Sequence, residues 1–251
     1  MKLKYKYLTI CCILYLSVQS QTTPDIETDR PDQTETPYSV GTGRFQAENG
    51  YLISTIFKDL HLTNIVSLLR YGLTQKLELR AEIIRDKYVY NKTTINEGMQ
   101  PLELGFKVNV IEEKGLLPKT SLIAHLALPR VASTDYKSRY YMPNFRFTMQ
   151  HSLSSKQSLS YNLGGEWSVD DKSFMPLYTF ASGYDFSKKL YGYIELFGFF
   201  PKGIQAEHSF DGGLAYLIAP NLQVDISAGF GITSSAPKHY TAIGLSFRLP
   251  K

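Results

Sequence analysis

The sequence has two cysteines, one tryptophan and no apolar run long enough to cross a membrane as a helix. Each scarcity excludes something. The cysteines are neighbours, Cys11 and Cys12, inside the one sustained apolar run, residues 8–18. A spanning helix needs about 20 apolar residues, so a retained anchor is the poorer reading of this run. Lys2, Lys4 and Lys6 precede it, and Ser17, Gln19, Ser20 and Gln21 are the small or polar residues at its end. A basic leader, a short apolar stretch and a polar exit describe a cleavable signal peptide over residues 1–20. A lipoprotein would need a small residue where Ile10 precedes Cys11. Cleavage leaves a cysteine-free mature chain, which excludes disulfides, thiolate catalysis and cysteine-ligated metals.

A charge excess is lacking too. The whole chain has 27 Lys and Arg against 23 Asp and Glu. Three of those lysines lie in the leader, so the mature chain is near neutral and gives no argument for nucleic-acid binding.

What remains is a tyrosine- and phenylalanine-rich chain (18 Tyr, 14 Phe of 251 residues) with a hydrophobic period of two. In residues 101–110, Leu102, Leu104, Phe106, Val108 and Val110 fall on one face, opposite Glu103, Gly105, Lys107 and Asn109. A helix would scatter both sets around its circumference. Similar alternation marks residues 77–83, 159–167, 222–230 and 241–249, and less regular versions occupy 45–55, 62–72, 120–128, 144–151, 175–186, 190–199 and 209–218. Together these predict an all-β fold, a closed antiparallel transmembrane β-barrel of about 12 strands over residues 44–251. A ten-residue strand rises about 33 Å and, tilted by about 40°, spans about 25 Å, the height of an outer-membrane apolar band.

The connections are expected to alternate in length. Short ones fall at 74–76, 153–157, 187–189 and 219–221, with 111–118 a longer member of that set. Long ones fall at 87–100, 130–143, 169–174, 200–208 and 233–239. Outer-membrane barrels have short periplasmic turns and long outer loops, a two-class pattern that a soluble β-sandwich does not require. Both termini then lie on the periplasmic side.

Residues 21–43 have no periodicity and are rich in acid, Thr, Pro and Gly. They form an extended segment, either a periplasmic leader or a lumen plug, with Glu27, Asp29, Arg30, Asp32 and Glu35 as candidate gating residues. The spacing of Asp25, Glu27 and Asp29 invites a calcium-loop reading, but Arg30 replaces the required glycine and Thr36 stands at the bidentate position.

The run Glu27-Thr28-Asp29-Arg30-Pro31-Asp32-Gln33-Thr34-Glu35, followed by Gly43-Arg44-Phe45-Gln46-Ala47-Glu48, resembles the opening of the bacterial outer-membrane family named for a putative MetA-pathway of phenol degradation. The phrase from Leu69-Arg70-Tyr71-Gly72 to Leu77-Glu78-Leu79-Arg80 resembles it as well. The resemblance implies a transporter-like barrel in the cell outer membrane that passes a small hydrophobic or aromatic solute. It does not imply catalysis.

The polar strand faces nominate Glu48, Arg70, Glu78, Arg80, Glu82, Glu103, Lys107, Arg146, Glu166, Glu195 and Asp225 as lumen-lining, because Arg or Lys facing lipid at the bilayer midplane costs about 2–4 kcal/mol. Their mixed signs argue against a one-sign selectivity ring. They suit a selective passage or a closed structural barrel that meets a partner through its loops. Tyr51, Tyr71, Trp167, Tyr178, Phe186, Tyr191, Tyr193, Phe197, Phe199 and Tyr216 are expected in interfacial girdles. The rival from another class is an outer-membrane hydrolase, but adjacent His151 and Ser152 point to opposite faces of a strand. His61, His125, His208 and His239 show no metal-ligand spacing. No cofactor or metal is expected; the expected partners are outer-membrane lipid, an unidentified solute and the barrel assembly machinery.

Overall fold

The computed structural model describes residues 25–58, 60–168 and 172–250. The expected signal peptide lies outside the described residues. Thirteen strands follow in order: β1 (Phe45–Phe57), β2 (Leu60–Gly72), β3 (Leu77–Tyr90), β4 (Thr93–Met99), β5 (Leu102–Ile111), β6 (Lys119–Leu128), β7 (Met142–Ser152), β8 (Gln157–Trp167), β9 (Phe174–Asp185), β10 (Leu190–Phe199), β11 (Glu207–Ala219), β12 (Leu222–Gly231) and β13 (His239–Leu249).

Twelve of them close into one antiparallel ring, with β4 as an extra strand. Each neighbour in sequence pairs with the next, β1 pairs with β13, and the β2–β3 pairing completes the circuit. Phe45 sits opposite Leu249, so the first and last strands begin and end at the same, short-turn end. Closure leaves each of the twelve ring strands paired on both sides, the condition for strands in lipid, while β4, among the described residues, pairs with β3 alone.

The outward faces are apolar and the interior is charged. Ile194, Leu163, Ile226 and Ile243 are more than half exposed, whereas Arg70, Glu48, Glu78, Lys107, Glu195 and Asn162 are among the most deeply buried side chains. A water-soluble fold would invert that distribution. The dyad pattern of 101–110 accounts for it locally: Leu104, Phe106 and Val110 are exposed, and Lys107 and Asn109 are buried.

Two expected connections differ. Residues 87–100, read as a long loop, are mostly strand. β3 runs on to Tyr90 and returns as β4 through a two-residue turn in which Asn91 and Lys92 have φ of 47° and 64°. That is the left-handed geometry a tight hairpin needs, and asparagine tolerates it. β4 then continues the line of β5 along β3, interrupted at Gln100 and Pro101, where proline has no N–H to give the ladder. The strict alternation of loop lengths also fails once: β1 and β2 leave only residues 58–59 between them at the long-loop end.

Candidate functional site

The ring is not hollow. Residues 25–43 run inside it, with contacts on opposite walls. Near the short-turn end the Ile26 N–H donates to the Pro220 carbonyl, and Gln223 on β12 donates to Thr28. Further along, the Gln33 N–H donates to Glu195 on β10, Thr34 reaches Thr179 on β9, and the Glu35 N–H donates to Asn162 on β8. The chain then returns along the other side, where the Pro37 carbonyl accepts from Ser121 on β6 and the Val40 N–H donates to Glu78 on β3. The wall side chains thereby satisfy a backbone that has no sheet partner of its own. A 12-strand barrel has room for this, whereas an eight-strand interior is filled by side chains alone.

Asp29 is the centre of the contact. Its carboxylate lies 3.2 Å from Arg70, 2.7 Å from Arg80 and 2.8 Å from Lys107, and its own N–H donates to Glu48. Glu48 and Glu78 of the wall pair with Arg70 at 2.7 and 2.8 Å. In this layer the wall supplies three cations and two carboxylates, so the third carboxylate, which balances the layer, comes from the segment. Burial pushes the Asp29 carboxyl up, but Arg70, Lys107 and Arg80 outweigh it and hold it well below the usual carboxylate range. Glu35 has the same balance: burial raises it, while Arg80 at 2.6 Å and Arg146 at 3.8 Å bring it down.

Arg30 points the other way, its Nη2 2.9 Å from Asp225 on β12. Two glycines make room for it. Gly50 on β1 faces Gly244 on β13 across the ladder, and a Cβ on either would overlap the Arg30 side chain.

Of the residues nominated from sequence, Glu48, Arg70, Glu78, Arg80, Lys107, Arg146, Glu195 and Asp225 contact the segment. Glu82, Glu103 and Glu166 make no hydrogen bond to it among the described residues. Asp29, Arg30 and Glu35 engage the wall by side chain and Glu27 through its carbonyl. Asp32 lines a cavity of about 750 Å3 toward the short-turn end, together with Gln150, Ser158, Lys189, Tyr191 and Gln223.

Four aromatics expected in the girdles belong elsewhere. Tyr191, Tyr193, Phe197 and Phe199 alternate with outward Ile194 and Leu196 and share the face of Glu195. Tyr193 is 5% and Phe197 7% exposed. Tyr193 and Tyr240 both donate to Asp211, which explains why tyrosine is found on an inner wall. Along β10 the apolar and aromatic residues occupy both faces, so periodicity could not assign them. Tyr51, Tyr71, Phe186 and Tyr216 are exposed. His151 stacks on Tyr161 and Ser152 donates to Glu113, so these neighbours find separate partners.

Linear spacing also hid one cluster. Glu82, Glu103 and His125 each bring a ligand atom within 4.8 Å of the others. Adjacent positions on β3, β5 and β6 create it, a relation visible only once the register is known.

The family model described as "Putative MetA-pathway of phenol degradation" matches residues 28–249. The chain belongs to this family. The match starts at Thr28, so it takes in most of the lumenal segment as well as the strands. No curated protein matches the chain. Among solved structures, an outer membrane channel from Pseudomonas putida F1 is 14% identical, with a TM-score of 0.68 over 89% of this chain and 100% of that one. The KdgM porin is 13% identical, with a TM-score of 0.54 over 80% of this chain and 98% of that one. The NanC porin is 8% identical, with a TM-score of 0.51 over 81% and 98%. Family member and solved structures thus share the barrel fold.

Proposed function

We propose that this family member is an outer-membrane channel for a small solute and that residues 25–43 are its plug. The observation that carries the reading is the charge balance around Asp29: the wall holds a cation excess that the segment completes. The fold shared with channels and porins supports the membrane setting, as does the apolar exterior, which lipid would cover. The short turns face the periplasm in this reading.

The solute is small and apolar or aromatic. Once the plug leaves, Tyr191, Tyr193, Phe197, Phe199 and Tyr240 on the inner faces of β10 and β13 present such a molecule with an aromatic wall. Passage is passive, and the charged residues position the plug and perform no chemistry. A closed structural barrel is the second reading, favoured by the contacts the segment makes around most of the ring.

Conductance in planar bilayers separates the two. A chain lacking residues 22–43 conducts in larger steps than the full chain if the segment is a plug. Silence from both, with heat-modifiable migration showing a folded barrel, would overturn the channel.

A further inference from the structure

We propose that Glu82, Glu103 and His125 form a binding site for one divalent transition-metal ion of the zinc type on the inner wall, on the long-loop side of the Asp29 layer. The site lies beyond the channel reading and needs only the barrel fold.

Register creates it. Glu82 on β3 stands directly opposite Glu103 on β5, and His125 on β6 is two residues from Ala127, the partner of Glu103, and so on the same face. Like charges directly opposite on a sheet face repel. Glu82 accepts no hydrogen bond among the described residues, and the nearby Arg80 spends its guanidinium on Asp29, Glu35, Glu78 and His125. The two carboxylates therefore meet without a cation between them.

The donor set selects the ion. Two carboxylates and an imidazole suit zinc and its neighbours, whereas calcium and magnesium prefer oxygen alone. Zinc–oxygen and zinc–nitrogen bonds are about 2.0–2.2 Å, so donors already within 4.8 Å need only small side-chain rotations to share an ion. Asn144 supports the set from outside through its Nδ2, which donates to Glu103 at 2.8 Å; its Oδ1, 3.2 Å from His125 Nδ1, gives up that contact when Nδ1 takes the ion. Such outer partners orient metal ligands. The Glu103 side chain is 20% exposed, which leaves the site open to the lumen.

Arg80 sets the condition for capture. Its Nε–H donates to His125 Nε2, so Nδ1 carries the ring proton. Ligation through Nδ1 moves that proton to Nε2, and Arg80 gives up this acceptor while keeping Asp29 and Glu35.

The test is calorimetric titration of zinc chloride into purified full-length protein carrying no polyhistidine tag. One zinc ion binds per chain. Glu82→Gln, Glu103→Gln and His125→Gln each weaken it by at least about tenfold, whereas His239→Gln, at an exposed position, leaves it unchanged. Cobalt in place of zinc gives a visible ligand-field band that His125→Gln shifts or removes. Glu82→Gln breaks no hydrogen bond, and heat-modifiable migration verifies each barrel. A wild-type chain that takes up no zinc, or Glu82→Gln and His125→Gln chains that titrate like wild type, overturns the site.

Discussion

Lys107 Nζ lies 2.8 Å from both carboxylate oxygens of Asp29, and its other hydrogen bonds go to the Thr36 and Tyr38 carbonyls. Every acceptor of this fully buried strand lysine, among the described residues, therefore belongs to the N-terminal segment. A buried ammonium whose partners could leave is the point at which the plug and the wall depend on each other most.

Asp29→Asn should loosen the plug. Breaking a buried ion pair by removing one partner costs about 3–5 kcal/mol, which is on the order of a hundredfold or more in the docked-to-undocked ratio. The variant should show more frequent or larger conductance steps than wild type with unchanged heat-modifiable migration. Adding Lys107→Met removes the stranded charge and should recover part of the loss. Equal behaviour of the single and double variants would show that the two residues are not coupled.

The Arg30 clamp should depend on the absence of two side chains. Gly244→Val or Gly50→Val places a branched side chain where the guanidinium lies, so Arg30 must abandon Asp225. Both variants should expose residues 25–43 to added protease while β1 and β13 stay paired. Unchanged protection would mean that Arg30 docks without these glycines.

Acid should release the plug through Asp29. Its carboxyl is held below the unfolded range near 3.9, so its contribution to docking is complete above that value. The contribution is lost as pH falls through the depressed docked-state value. Closure should therefore persist from neutral pH down to about 4 and fail in stronger acid. Conductance that rises already between pH 7 and 5 would contradict this assignment.

Asp32 should act in the opposite sense. Burial and the nearby Glu195 carboxylate push it well above the ordinary value, so its docked form prefers the proton. It costs nothing below the unfolded value and weakens docking increasingly as pH rises toward the raised one. Asp32→Asn removes that cost and should make the plug harder to displace at pH 7, read as longer closed times. Shorter closed times would show that the charged form is the docked one.

The barrel was legible in the sequence because lipid outside and charge inside give each strand an unambiguous period of two, as at Leu104, Phe106 and Lys107. β10 was legible as a strand over 190–199, but its inner face was not, since Tyr193 and Phe197 inside alternate with Ile194 and Leu196 outside, and hydrophobicity alone does not distinguish them. The β3–β4 hairpin was missed because Asn91-Lys92 lacks the usual glycine turn signal. Among candidate site residues, the inward charges followed from alternation. Their partners did not: the pairing of Asp29 with Arg70, Arg80 and Lys107 spans up to 78 positions, and no local pattern encodes it.

The most direct measurement is a disulfide lock. The Thr34 and Thr179 hydroxyls are 2.7 Å apart, one on the segment and one on β9. A Thr34→Cys, Thr179→Cys chain, with Cys11 and Cys12 replaced by serine, should be silent in bilayers when oxidised and conduct at the level of the chain lacking residues 22–43 after reduction and acid release. Equal conductance of the oxidised and reduced forms at the same acid pH, with the crosslink verified by mass, would contradict the plug.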